Sequence, residues 1–146
     1  MTPSDPTTGL AGAAAGAPQE KRGGLLLRAA GDLFFLPAAL AVSIDPPPSV
    51  VRVPGAPPEM LGIAAHAGEV LPVVALGEDR SAMVVCRVAT ELLGIVGATI
   101  VGAGLFDGDP SAPERVRFLG ESARPLDLPG IYAKLQGGAW AGRWGG

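Results

Sequence analysis

The sequence predicts a mainly β domain, either one barrel or a packed pair of small barrels, and three observations carry that reading. Apolar residues come in short runs of about four to eight, the length of strands. The 22 glycines and 15 prolines among 146 residues punctuate those runs closely enough to end most helices. Helical spacing persists over more than a turn only near the C-terminus, so the crossover helices of a parallel sheet are missing.

The elements follow in order. Runs 25–29 and 33–36 flank Gly31 and Asp32 and read as a hairpin. Pro37 then starts at most a short helix over 38–42, which the run Pro46, Pro47 and Pro48 ends in an extended connection. Runs 61–66 and 69–76 make a second hairpin about Ala67 and Gly68, with Pro72 requiring a bulge or an edge. Runs 83–88 and 91–97 pair about Ala89 and Thr90, and 99–106 adds a further strand. The apolar stretch 92–106 is too short to span a bilayer, which takes roughly 20 residues, and reads as buried strands. Charge alternates with apolar side chains over 115–118, as in a strand with one wet face. Pro129 opens a last helix to Gln136 with Ile131, Tyr132 and Leu135 on one face. The sum is about seven short strands and few helices.

Residues 1–23 hold almost nothing to bury and read as a disordered tail. Residues 137–146 form a flexible glycine-rich end carrying Trp140 and Trp144, which either fold back or anchor a partner. The domain proper is 24–136. Eleven basic against 14 acidic residues leave a net charge of −3 with no run of either sign, which disfavours nucleic acid as a partner. One cysteine excludes an internal disulfide and a four-cysteine zinc site. With no basic-then-apolar start, export and membrane insertion are not expected, and the cytoplasm is the natural compartment.

Chemistry-bearing residues are sparse. His66 is the only histidine, and Glu69 is the only carboxylate near it in sequence. An ordinary turn residue is the better reading than a general base. Cys86 lies mid-strand among valines and behaves as a small hydrophobe. Glu78, Asp79, Asp107 and Asp109 sit in two short loops without the spacing of a calcium loop. No catalytic residue, metal site or cofactor is expected.

One stretch carries a resemblance. Val53 and Pro54 form a turn, Gly62 and Ile63 begin a strand, Gly68 closes a turn, and Pro72, Val73 and Val74 lead a strand to Leu76. In this order and spacing the segment resembles the signature of the CheW family of chemotaxis coupling proteins. The likeness extends from the first hairpin to Pro125, Leu126, Asp127 and Leu128, over about 24–136. It implies two five-stranded barrels packed side by side, with no active site. It also implies a scaffold joining the signalling tip of a methyl-accepting chemoreceptor to the regulatory domain of a CheA-type histidine kinase. The receptor would occupy an apolar groove between the barrels, to which position in the motif assigns Val42, Ile44, Ala67, Val96 and Ala98.

Three departures qualify the expectation. Ala67 stands where the family carries arginine, beside His66 where leucine is common, and Gly97 and Ala98 replace valine and aspartate. The link from Asp107 to Arg115 is short, which implies a trimmed second barrel. Losing an interfacial arginine removes a fork of donors worth about 1.5–3 kcal/mol when shielded from water, so the preferred reading is an adaptor that engages one partner, a receptor-like helical tip or a specialised kinase, through that groove. On this reading Val96→Glu weakens partner binding and spares the fold. The rivals are a decoy or structural subunit pairing with CheW-like homologues through a strand edge, and a small hydrolase or metal enzyme centred on His66.

Overall fold

A computed structural model describes residues 20–136, so Trp140 and Trp144 lie outside the described residues, as does most of the expected N-terminal tail. Among the described residues ten strands occur in the order β1 (Lys21–Ala29), β2 (Asp32–Pro37), β3 (Ala41–Asp45), β4 (Met60–His66), β5 (Glu69–Ala75), β6 (Asp79–Val88), β7 (Glu91–Gly97), β8 (Thr99–Asp109), β9 (Ala112–Phe118) and β10 (Glu121–Pro125). A 3-10 turn (Ala38–Leu40) precedes β3, and the helix α1 (Leu128–Leu135) follows β10. No helix among the described residues is long and apolar enough to cross a membrane.

The strands form two five-stranded units. One is a closed barrel in the order β9-β10-β2-β1-β8, and the other is a sheet in the order β3-β6-β7-β5-β4. The barrel draws on both ends of the described chain, and the sheet is the single stretch 41–97 set between them. Where a trimmed barrel is expected after Asp107, the barrel closes with five strands, the last of them, β10, five residues long. The unit whose terminal strands do not pair with each other is the sheet.

Leu25, Leu26 and Leu27 are consecutive because β1 is buried on both faces. Leu26 points into the barrel with Leu33, Phe35, Val116 and Ala123. Leu25 and Leu27 face the other way, into the core shared with the sheet through Val84, Cys86, Leu93 and Ile95. The sheet's second face encloses Ala64, Leu71, Val73, Met83, Val85 and Val96. Alternation along β6, with Met83 and Val85 on one side and Val84 and Cys86 on the other, follows from the two-residue period of a strand. Leu128 and Leu135 of α1 are buried in the shared core, and the Asp127 carboxylate caps the helix by accepting from the Gly130 amide at 3.1 Å.

Several local expectations are corrected. The first turn is Ala30 and Gly31, one residue earlier than Gly31 and Asp32, because Ala29 pairs with Asp32. Ala41 and Val42 belong to β3 instead of a helix, since the 3-10 turn stops at Leu40 and the chain then pairs with β6. Pro72 lies in an inner strand, which it tolerates because β7 pairs with β5 only from Val73 onward. Lys21, Arg22 and Gly23, assigned to the tail by composition, pair with Asp107, Phe106 and Leu105. The stretch 92–106 is buried only in its first half, for β8 leaves Ala103, Gly104 and Leu105 exposed.

Four of the tight hairpins have a non-glycine residue in the left-handed region at the first turn position: Ala30, Ala67, Ala89 and Leu119, with φ of 52°, 49°, 56° and 50°. Asparagine and glycine adopt that conformation more readily than alanine or leucine. Leu119 is also 89% exposed, so its side chain returns little packing energy. Leu119→Asn is expected to stabilise the chain by about 0.5–1 kcal/mol, read as a higher urea midpoint with an unchanged slope. A lowered midpoint would show that the leucine is held by contacts.

Candidate functional site

An open cleft lies where the barrel meets the sheet. Pro37 and the 3-10 turn carry the chain off β2 and onto β3, which pairs with β6 on one side only. β3 therefore forms one wall of the cleft, with Val42 and Ile44 41% and 50% exposed. β8 forms the other, with Leu105 71% exposed. Gly23, Gly24 and Leu25 of β1 lie between them, and Ala38, Ala41, Ser43 and Gly104 complete a groove of about 510 Å³.

None of these lining residues is charged. Ser43 has the only polar side chain, and its hydroxyl donates to Asp45 Oδ1 at 2.8 Å. Such a surface cannot move protons or polarise a bond, but it can remove apolar side chains of a partner from water.

The five residues expected at the site divide. Val42 and Ile44 share this groove. Ala67 is exposed at the turn between β4 and β5. Val96 and Ala98 are 1% and 6% exposed. Val96 belongs to the enclosed core of the sheet and Ala98 to the core shared by the two units, so neither offers groove surface. Leu105, which sequence reasoning missed, supplies the facing wall. Its only signal was an apolar residue inside a glycine-rich run, which reads equally as a buried strand.

At one end of the sheet, the Asp45 carboxylate at the close of β3 meets His66 Nδ1 at the close of β4, at 2.6 Å. Strands β3 and β4 are the two edges of the sheet, so this contact brings its borders together with side chains in place of a backbone ladder. The Ser43 hydroxyl and His66 together hold the Asp45 carboxyl below its ordinary range. The carboxylate sits between serine and imidazole, and the serine proton is directed at Asp45. A nucleophile relay needs the imidazole beside the hydroxyl, so the arrangement is a clasp. A double-mutant cycle of Asp45→Asn and His66→Ala is expected to give a coupling of about 0.5–1.5 kcal/mol in urea unfolding. Strict additivity would remove the clasp.

The remaining reactive groups are separately occupied. Asp79 accepts from Thr99 Oγ1 and the Ser81 amide, Asp107 pairs with Lys21 at 2.7 Å, and Asp109 accepts from Ser111 and Ser122. Hydrogen bonds from Ser122 and Ser111 bring the buried Asp109 carboxyl to about 2. Burial pushes the Cys86 thiol up to about 12, far from a reactive thiolate. Among the described residues no three metal-binding side chains come together.

Two packed β units flank an uncharged, partly open cleft. The family model described as the CheW-like domain matches residues 23–103, and the chain belongs to that family. That match runs from β1 into β8 and includes every expected site residue. Among solved structures, the fold is similar to that of the scaffolding protein TtCheW from Thermoanaerobacter tengcongensis. The TM-score is 0.62 at 13% identity, over 75% of this chain and 90% of that one. No curated protein matches the sequence.

Proposed function

We propose that the chain is a non-enzymatic CheW-like adaptor acting in the cytoplasm of a bacterial chemosensory pathway. It seats the helical tip of a methyl-accepting chemoreceptor in the groove between β3 and β8, and it couples that receptor to a CheA-type histidine kinase or serves one of the two alone. The uncharged lining of Val42, Ile44 and Leu105 carries this reading. An amphipathic helix presents apolar anchors at successive turns, and a groove without buried charge accepts them without a desolvation penalty. Family membership supplies the partner class.

The test is titration of the full chain with a soluble receptor tip. Both Val42 and Ile44 are exposed, so Val42→Asp with Ile44→Asp leaves the core intact. The pair is expected to cost at least about 2 kcal/mol, more than tenfold in Kd. Unchanged affinity would move the receptor off this groove.

The unpaired side of β3 favours a second reading, in which the exposed edge adds a strand from another CheW-like chain and the protein is a structural subunit. Light scattering separates the two, since a stable self-assembled species at working concentration is expected only from the second.

A further inference from the structure

The sheet has an opening of its own, away from the groove. Pro47, Pro48, Val50, Leu61 and Val96 surround a depression of about 270 Å³, with Arg52 and Arg80 completing its lining. Val96 belongs to the enclosed core of the sheet, and Val50 and Leu61 pack against that core, so the depression leads directly onto it. The loop forming one wall is fixed. Val51 exchanges two backbone hydrogen bonds with Ile63, each 2.8 Å, and a side chain at Gly62 would collide with the Val51 carbonyl.

The charge on this opening is unbalanced. Of the other lysines and arginines, Lys21, Arg28, Arg117 and Arg124 meet the carboxylates of Asp107, Glu121, Asp109 and Asp32, and the rest form no ion pair among the described residues. Arg52 has no side-chain hydrogen bond or ion pair among the described residues. Arg80 donates from Nη1 to the Gly77 carbonyl at 2.6 Å, which steadies the guanidinium and leaves its other N–H groups available. Asp79 feels the Arg80 charge, but its oxygens are committed to Thr99 and Ser81. No acidic residue lines the depression.

We infer that this opening binds a partner segment carrying a carboxylate beside an apolar side chain of leucine size, an acidic-apolar peptide. The apolar side chain enters between Val50, Leu61 and the two prolines. The neighbouring carboxylate meets the forks of Arg52 and Arg80, whose planar donors match it in pairs. A preformed wall means that little ordering opposes binding. The site is separate from the β3–β8 groove, so an adaptor could hold two partners at once.

The test is NMR titration of the isotope-labelled full chain with a capped peptide alternating leucine and glutamate, and with its glutamine counterpart. The glutamate peptide is expected to shift the amides of Arg52, Leu61, Arg80 and Val96 saturably, and less so as salt rises. Arg52→Gln and Arg80→Gln are each expected to weaken binding about fivefold, the scale of an exposed charge pair. Val42→Asp with Ile44→Asp is expected to leave it unchanged. Equal binding of the glutamine peptide, equal binding of a simple fatty carboxylate, or loss in the groove variant would each overturn the proposal. So would an absence of shifts.

Discussion

Val96→Glu is expected to destabilise the domain by about 3 kcal/mol, because the larger side chain overfills the sheet's closely packed core and its carboxylate leaves water for apolar neighbours that Arg52 and Arg80 only border. Val96 is 1% exposed and packs with Leu71, Val73, Met83 and Val85, none of which can donate a side-chain hydrogen bond. The measurement is a urea midpoint followed by fluorescence or far-UV dichroism. An unchanged midpoint would mean that position 96 opens to solvent. Any accompanying loss of receptor binding then reports unfolding, so this substitution cannot map the groove as motif position alone suggested. The exposed Val42 and Ile44 can.

Gly97→Ala is expected to cost about 3 kcal/mol or more, for two separable reasons. Gly97 has φ of 93°, where a Cβ is strained. A Cβ there would also press on the backbone nitrogen and carbonyl of Gly77, in the connection between β5 and β6. Gly31→Ala provides the control, since Gly31 has φ of 84° and nothing within 4 Å of an added Cβ. Its cost, about 1 kcal/mol, isolates the conformational part. If both substitutions cost the same, the close approach of Gly77 and Gly97 contributes nothing. The replacement of valine by glycine at 97, a departure when set beside the family signature, is thus required by this chain's own packing.

Much of the fold was legible because its signals are local. Hairpins at Ala67 and Gly68 and at Ala89 and Thr90 fall where turn residues interrupt alternating apolar runs. The leucines of β1 and the valines of β6 declare strands without declaring which face opens. Val42 and Val96 therefore look alike in sequence, and only the packing of barrel on sheet leaves the first exposed and buries the second. Ala41 and Val42 at the start of β3 read as the end of a short helix opened by Pro37, whereas pairing with β6 decides their state. Asp45 and His66 are 21 positions apart, and nothing in the intervening prolines predicts that the sheet's borders meet there.

The interleaved order of the strands bears on biosynthesis. The sheet occupies one uninterrupted stretch, 41–97, so it can condense as soon as that stretch leaves the ribosome. β1 and β2 must wait for β8, β9 and β10, with Leu26 and Phe35 lacking their barrel partners until the chain has reached Pro125. Such long-range closure is slow and leaves a nascent hairpin prone to stray association. A chain cut after the family-matched segment would keep the sheet's strands while stranding that hairpin, making late synthesis the vulnerable stage in this protein's life.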